Sequence, residues 1–465
     1  MKLDAKKLPV ITTLIITLVM IITLFVVRAG VADNGNLRYV LEDIGMYDYQ
    51  SASGSGYYAD GFGVSSKTLG TGTGGLVYGI IKLAFPVDSV MFVWIPAIVY
   101  LAVFVAGIYL FLKSMIGENK TVNILMCILA AIIVADAGYV AFFNTPYTEG
   151  AFIAYLVLFC GSFAACAKTG KVRYLILSGI AGILFGATGI YASLTGILLA
   201  FVLLGFMKTE DIKKRVIAVL MAVLVFAASV YGFTIDKSGD GMKYNRIFYG
   251  VLSVSENAEQ SLGDMGIDKE FAQYANTASF DEKAQNFIAS QDFAKVRDKA
   301  DTFSVLKYYF THTDDFSKAL KACVNNSTMI KSSYLGDYPA SSGKASQQSS
   351  FWTIYSTLKA KLMPASMVFI LVFALAVLVL SLSYKGKHKD KQGTAQMVYL
   401  LIALALGAVL TLPLAVVQNG LSLIDFNMRS YNFLFDLSLF GGVTGGVNMM
   451  LSRQQELRDK YGVNQ

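Results

Sequence analysis

Residues 8–27 read LPVITTLIITLVMIITLFVV, a stretch without a charge that follows Lys2, Lys6 and Lys7. A helix over this run is ~30 Å long, the thickness of a bilayer's hydrocarbon core. A basic leader and an apolar stretch also open a signal peptide. Such a peptide has a shorter apolar core and ends at small residues spaced for cleavage, and Arg28-Ala29-Gly30-Val31 fits that pattern poorly. The run is expected to stay as a first membrane helix, with its N-terminus in the cytoplasm.

Further apolar runs follow at about 88–112, 121–143, 149–167, 174–191, 193–207, 216–234, 364–384, 396–416 and 430–451. With the first they make about ten spans, the fifth and sixth joined by a tight hairpin near Ala192–Gly196. The basic residues support this count. Lys113 and Lys120; Lys168, Lys171 and Arg173; Lys208, Lys213, Lys214 and Arg215; Lys385, Lys387, Lys389 and Lys391; and Arg453, Arg458 and Lys460 all fall on the side of the N-terminus, as cytoplasmic loops do. Losing one span would put half of these clusters on the other side. Both termini are therefore expected in the cytoplasm.

Composition agrees. Of 465 residues, 55% are apolar and only 15% charged, against about a quarter charged in a soluble domain. The net charge of +7 lies in the short loops, which makes it topogenic and argues against nucleic acid as a partner. Two histidines, His312 and His388, exclude a His-rich metal cluster. A lone thiol in the polar regions, Cys323, cannot form an internal bridge there.

The fold class is thus an all-α integral membrane protein in three parts. Residues 1–234 carry spans one to seven and a first external loop, 29–87. Residues 235–363 form a mostly helical external domain, with helices expected over 281–290 and 292–323. Residues 364–465 carry the last three spans and a cytoplasmic tail. No internal repeat is visible.

In the first loop, Leu37, Val40, Leu41 and Ile44 recur at helical spacing, so a short helix lies along the membrane surface. Asp33 or Asn34 is placed to cap it. Gly74 to Phe85 is a second interfacial or re-entrant helix, and the Gly/Ser/Tyr-rich stretch between them suits a mobile loop. Asp33 has two readings: a cap only, or a carboxylate facing a lipid headgroup and able to take a proton from an attacking hydroxyl. Asp43, Asp48 and Asp60 lie further from the span. Glu149 falls in the first turn of the fourth span, where the helix dipole favours an anion, or else faces a polar cavity. Asp136 is ionisable at membrane depth with no partner evident in the sequence.

Several stretches resemble the multispanning glycosyltransferases that use polyprenyl-phosphate sugars, the C-type fold. They are closer to the bacterial glycan biosynthesis hexose transferases of surface-layer and cell-wall glycans. The matching words are Ala32-Asp33-Asn34-Gly35-Asn36-Leu37-Arg38, Phe143-Asn144-Thr145-Pro146-Tyr147-Thr148-Glu149, Asn245-Arg246-Ile247-Phe248-Tyr249-Gly250-Val251-Leu252 with Leu262-Gly263-Asp264-Met265-Gly266, and Arg429-Ser430-Tyr431-Asn432-Phe433-Leu434-Phe435-Asp436. Asn36 stands where a second acidic residue is usual.

The resemblance implies Asp33 as catalytic base and Glu149 as a second acid. It implies a polyprenyl-phosphate-linked sugar as donor, a glycan acceptor and a bacterial cell membrane. A divalent cation stays open. A phosphate leaving group calls for cations, and Arg38, Lys243, Arg246 and Arg429 are the candidates. Tyr47, Tyr49, Tyr57 and Tyr58 are placed either to stack on sugars or to form an aromatic belt. The competing readings are a lipid-linked glycan flippase, for which Asp136 and the glycines of 179–182 and 441–446 speak, and a non-catalytic envelope assembly factor that docks through Phe287, Phe293, Phe303, Val305, Leu306 and Phe310.

Overall fold

The computed structural model describes residues 7–48, 59–235, 238–332, 335–344, 346–387 and 393–461. Tyr49, Tyr57, Tyr58, His388, Lys389 and Lys391 lie outside them. Eight helices among the described residues are long and apolar enough to cross a membrane: α1 (Leu8–Val26), α4 (Trp94–Met115), α7 (Thr148–Thr169), α9 (Ile190–Lys208), α10 (Ile212–Thr234), α15 (Met367–Lys387), α16 (Thr394–Thr411) and, in the last helix α19 (Arg429–Tyr461), the stretch Arg429–Arg458. The pair α5 (Lys120–Val134) and α6 (Ala137–Asn144), bent by 48°, makes a ninth. The apolar α8 (Val172–Gly186) stands where the fifth run was expected but has 15 residues, short of a full crossing, so the described residues hold eight or nine such helices rather than ten.

α7 is the hub. Of its most apolar window, 94% is buried, against 28% for α10 and 17% for α15, whose apolar faces are left to lipid. A helix that is apolar all round belongs inside a bundle. Its closest neighbour is α4. A Cβ added at Gly161 would overlap the carbonyl of Gly107, so the two backbones touch there. Small residues allow such contact in a membrane, where packing rather than water exclusion drives helix association. We expect Gly161→Leu to force α4 and α7 apart and to abolish the monodisperse detergent-solubilised protein on size exclusion. Gly186, Gly196 and Gly232 serve α8, α9 and α10 in the same way around Ser229. Gly179 and Gly182 likewise pack, against Met221 and Val225. Gly445 and Gly446 differ: nothing lies within 4 Å of a Cβ added there, and both line an apolar cavity between α4, α15, α16 and α19.

The third span breaks at Ala135. Asp136 starts α6 by accepting the Gly138 N–H at 2.8 Å. Groups freed by such a break need partners inside a bilayer. They come from the run into α14 (Ile354–Leu362). Trp352 Nε1 donates to the Ala131 carbonyl at 2.9 Å, the Ala137 N–H donates to the Trp352 carbonyl at 3.1 Å, and the Ser356 N–H donates to Asp136 Oδ2 at 2.9 Å. One turn on, Lys359 Nζ pairs with Asp436 of α19 at 2.6 Å, with both side chains fully buried. Tyr139 and Tyr355 donate to the same carboxylate at 2.5 and 2.6 Å.

The first loop holds α2 (Leu37–Asp43) and α3 (Leu76–Lys82), at the expected places. Its described residues hold more regular structure than expected. Strands β1 (Met46–Tyr47), β2 (Gly61–Val64) and β3 (Val90–Phe92) form a small antiparallel sheet, with Met46 opposite Val64 and Phe62 opposite Met91. The second span therefore begins only at Trp94. The hairpin expected at Ala192–Gly196 lies instead at 187–189, ahead of α9.

The polar region 238–363 is helical but more divided than expected. Residues 292–323 split into Phe293–Arg297, α12 (Thr302–Thr311) and α13 (Thr313–Asn325), because Asp301 caps α12 and His312 interrupts the run. Tyr244 and Phe248, from the segment that opens with α11 (Asp240–Arg246), pack with Phe287 and Phe293 in an aromatic core. All four cysteines are buried and unpaired.

Candidate functional site

The site lies where the first loop meets the starts of α7 and α19. Asp33 follows α1 in a tight turn. Its Oδ1 accepts the N–H groups of Gly35 at 2.8 Å and Leu37 at 3.2 Å, so it satisfies the first N–H of α2, although the N-cap position itself is Asn36, whose side chain makes no capping bond. Capping occupies one face of the carboxylate, and the residue remains exposed. Protein atoms crowd the carboxyl and raise its pKa. The Leu37 and Gly35 N–H groups oppose the rise, the charge of Asp48 adds to it, and the Tyr147 hydroxyl lowers it.

Tyr147 immediately precedes α7. Its hydroxyl accepts the Asn34 N–H at 3.0 Å and donates to Asn34 Oδ1 at 2.9 Å, which locks the Asp33 turn to the fourth span. Burial pushes this phenol well above its usual pKa, and the charge of Asp33 adds to the effect, so Tyr147 stays a proton donor. The charges of Glu149 and Arg429 also reach it.

Glu149 occupies the first turn of α7 and is half-buried. Its carboxylate takes no hydrogen bond from another residue's side chain among the described residues, and Arg429 acts on it through space. Arg429 opens α19. Its guanidinium carbon lies 4.4 and 4.3 Å from the centroids of the Phe142 and Phe426 rings, which meet each other edge to face. Nε donates to the Ile330 carbonyl at 3.0 Å and Nη2 lies 3.3 Å from Ser332 Oγ. The two rings form a corner against which the cation rests.

Four residues thus share one neighbourhood: Asp33, Tyr147, Glu149 and Arg429. Lys243 borders it. The Asn36 side chain touches Met242, and Gly239 packs under the Tyr39 ring, which brings α11 against α2. Lys243 is half-buried.

Two candidate cations fall elsewhere. Arg246 is fully buried, and its hydrogen bonds include those to the Gln418 carbonyl and Oε1, the Ala300 carbonyl and Ser238 Oγ, at 2.9, 2.8, 3.0 and 2.5 Å. The expectation of a phosphate ligand there is corrected. Arg246 is a clamp between the polar region and the helix α17 (Leu414–Asn419), with no surface open to a ligand. Arg38 points to solvent and pairs with Glu42 one turn on at 2.7 Å. An exposed pair of this kind contributes little. Tyr47 packs its ring over Gly63.

Tyr147, Asn34 and the two aromatic rings are the participants that sequence reasoning missed. Tyr147 is two residues from Glu149, and that closeness was the available signal. Phe426 lies in α18 (Ile424–Asn427), 284 positions beyond Phe142, so their pairing was not readable. Among the described residues no three of His, Cys, Asp and Glu are gathered closely enough to hold a metal ion.

An all-helical bundle of apolar spans, with ionisable side chains collected at one end, defines a multi-pass integral membrane protein. The chain belongs to the family described as the YfdI N-terminal transmembrane domain, which it matches over residues 2–463. No curated protein and no solved structure matches it.

Proposed function

We propose that the protein is an inverting membrane glycosyltransferase that moves a hexose from a polyprenyl-phosphate donor to a surface glycan or its lipid carrier. The observation that carries the proposal is Glu149. A carboxylate at the mouth of an apolar bundle, half-open and without a side-chain donor, is costly unless a ligand uses it. It sits beside an oriented cation and, through Tyr147, beside a second carboxylate of raised pKa.

In this reading the acceptor hydroxyl oxygen attacks the anomeric carbon, and the bond from that carbon to the phosphate oxygen breaks. The electron pair leaves with the polyprenyl phosphate, and Asp33 takes the hydroxyl proton. Arg429, together with Lys243 of the helix packed on α2, offsets the charge that develops on the phosphate. Glu149 binds the sugar or the acceptor hydroxyl. The site faces the non-cytoplasmic side of a bacterial cell membrane, following the distribution of basic loops.

The test is a reconstituted assay with labelled polyprenyl-phosphate hexose and acceptor, run across pH. A base of raised pKa is competent only above the ordinary carboxylate range, so transfer should climb through that higher window. Label that stays on the lipid removes the proposal.

A flippase needs polar groups along a path. The broken third span offers Asp136, but that side chain is fully buried and spends both oxygens on backbone N–H groups. An assembly role has one observation in its favour: Phe303 and Phe310, two turns apart on α12, are 70% and 78% exposed. Phe287, Phe293 and Val305 are buried in the domain core and cannot dock.

A further inference from the structure

A second cleft opens at the same end of the bundle, between α1 and the start of α4, with a volume of about 470 Å³. Its sides are apolar: Phe25 on α1, with Phe92 and Trp94 opposite, the last two 46% and 47% exposed. Its polar lining is Arg28, Asp60 and Asn144. Arg28 and Asp60 pair at 2.5 Å, so the lining carries no net charge, and Ser341 donates to the other Asp60 oxygen at 2.5 Å.

Asn144 decides what the cleft takes. It is 2% exposed, and its Nδ2 donates to the carbonyls of Leu24 and Ala29, each at 2.8 Å. The amide orientation is therefore forced, because the reverse would set an oxygen against two carbonyls. Its Oδ1 is buried with no hydrogen-bond partner among the described residues. A buried acceptor left alone costs about 1–3 kcal/mol. The missing partner is a donor. The Arg28–Asp60 pair leaves the described lining without net charge, so neither an anion nor a cation is drawn to it. What remains is a neutral molecule with hydroxyl donors and an apolar face to lay on aromatic rings.

We propose that this cleft is a carbohydrate-binding subsite that takes one pyranose ring, with a hydroxyl donated to Asn144 Oδ1, further hydroxyls on Asp60 and Arg28, and the ring face against Phe92 and Trp94. The sugar comes from a free glycan chain or from a lipid-linked saccharide in the membrane, and the same hydroxyl chemistry serves both. The subsite rests on the transferase reading only for its use. Binding itself is a separate matter.

The chain has two tryptophans, Trp94 and Trp352, so intrinsic fluorescence reports on the cleft. The measurement is made on the full chain in nanodiscs and repeated in the Asp33→Asn protein, where transfer does not interfere. Methyl hexopyranosides and a short oligosaccharide test the free source. Nanodiscs doped with polyprenyl-phosphate hexose, against polyprenyl phosphate alone, test the lipid-linked one.

A saturable emission change with a sugar-bearing probe is expected, lost in Trp94→Phe. Phe92→Ala, an exposed position that folding tolerates, should weaken binding about fivefold, the scale of one aromatic contact. Asn144→Leu should abolish binding. Emission that ignores every sugar, or that responds equally to polyprenyl phosphate without sugar, overturns the subsite. Binding without transfer sinks only the transferase reading, and transfer with a sugar-blind cleft sinks only the subsite.

Discussion

Replacing Asp33 by Asn should lower hexose transfer by roughly 10²–10⁴-fold, the contribution of a positioned general base, while the protein still inserts and folds. The structure makes this substitution unusually clean. The structural work of Asp33 is done by one oxygen, which accepts the Gly35 and Leu37 N–H groups. Asn offers the same acceptor and is as good a cap as Asp, so α2 keeps its start. What disappears is the charge and the ability to accept a proton. Asp33→Ala would remove the cap as well, at about 1 kcal/mol, and would confuse the two roles. The readout is labelled glycan made by cells or liposomes carrying equal amounts of each protein. A normal yield from Asp33→Asn would take the residue out of the chemistry and leave it a cap.

The second large effect falls on stability. Lys359→Met leaves Asp436 in a fully buried place with two tyrosine hydroxyls and no cation. Breaking a buried pair from one side costs about 3–5 kcal/mol, because the remaining charge has lost both water and partner. The expected result is a large fall in the melting temperature of the purified protein, or failure to accumulate in the membrane. Lys359→Met with Asp436→Asn removes the charge that was stranded and should recover much of the loss. A single variant as stable as the parent would show that Asp436 picks up a proton at little cost.

The membrane spans were largely legible, because each is an apolar run long enough to cross and basic residues mark the loops at one end. Their breaks were not. The bend at Asp136 depends on Trp352 and Ser356, which lie more than two hundred positions away in the chain. The ninth run, read as 396–416, stops at Thr411, and Pro413 begins a separate short helix, for which the proline was a visible signal. The strands of the first loop are two to four residues long and rich in glycine, too short for alternation to register. In the candidate site, Asp33 and Glu149 could be named because each stands at the edge of a span. Arg429 could be named as a cation but not as one held against two aromatic rings. Arg246 looked like a ligand for phosphate because sequence does not reveal that Gln418 already occupies it.

The seam between α5 and α6 has a bearing on how the chain is made. Ala131 leaves the ribosome 221 residues before Trp352, and Asp136 leaves 220 residues before Ser356. For that interval the third span stands in the lipid with amide groups that nothing yet satisfies. The seam cannot close until Trp352 and Ser356 have been made. A chain cut short at about residue 350 should therefore present that unfinished segment to the insertion and quality-control machinery, and be recognised there as incomplete even though the spans up to α10 have already been delivered.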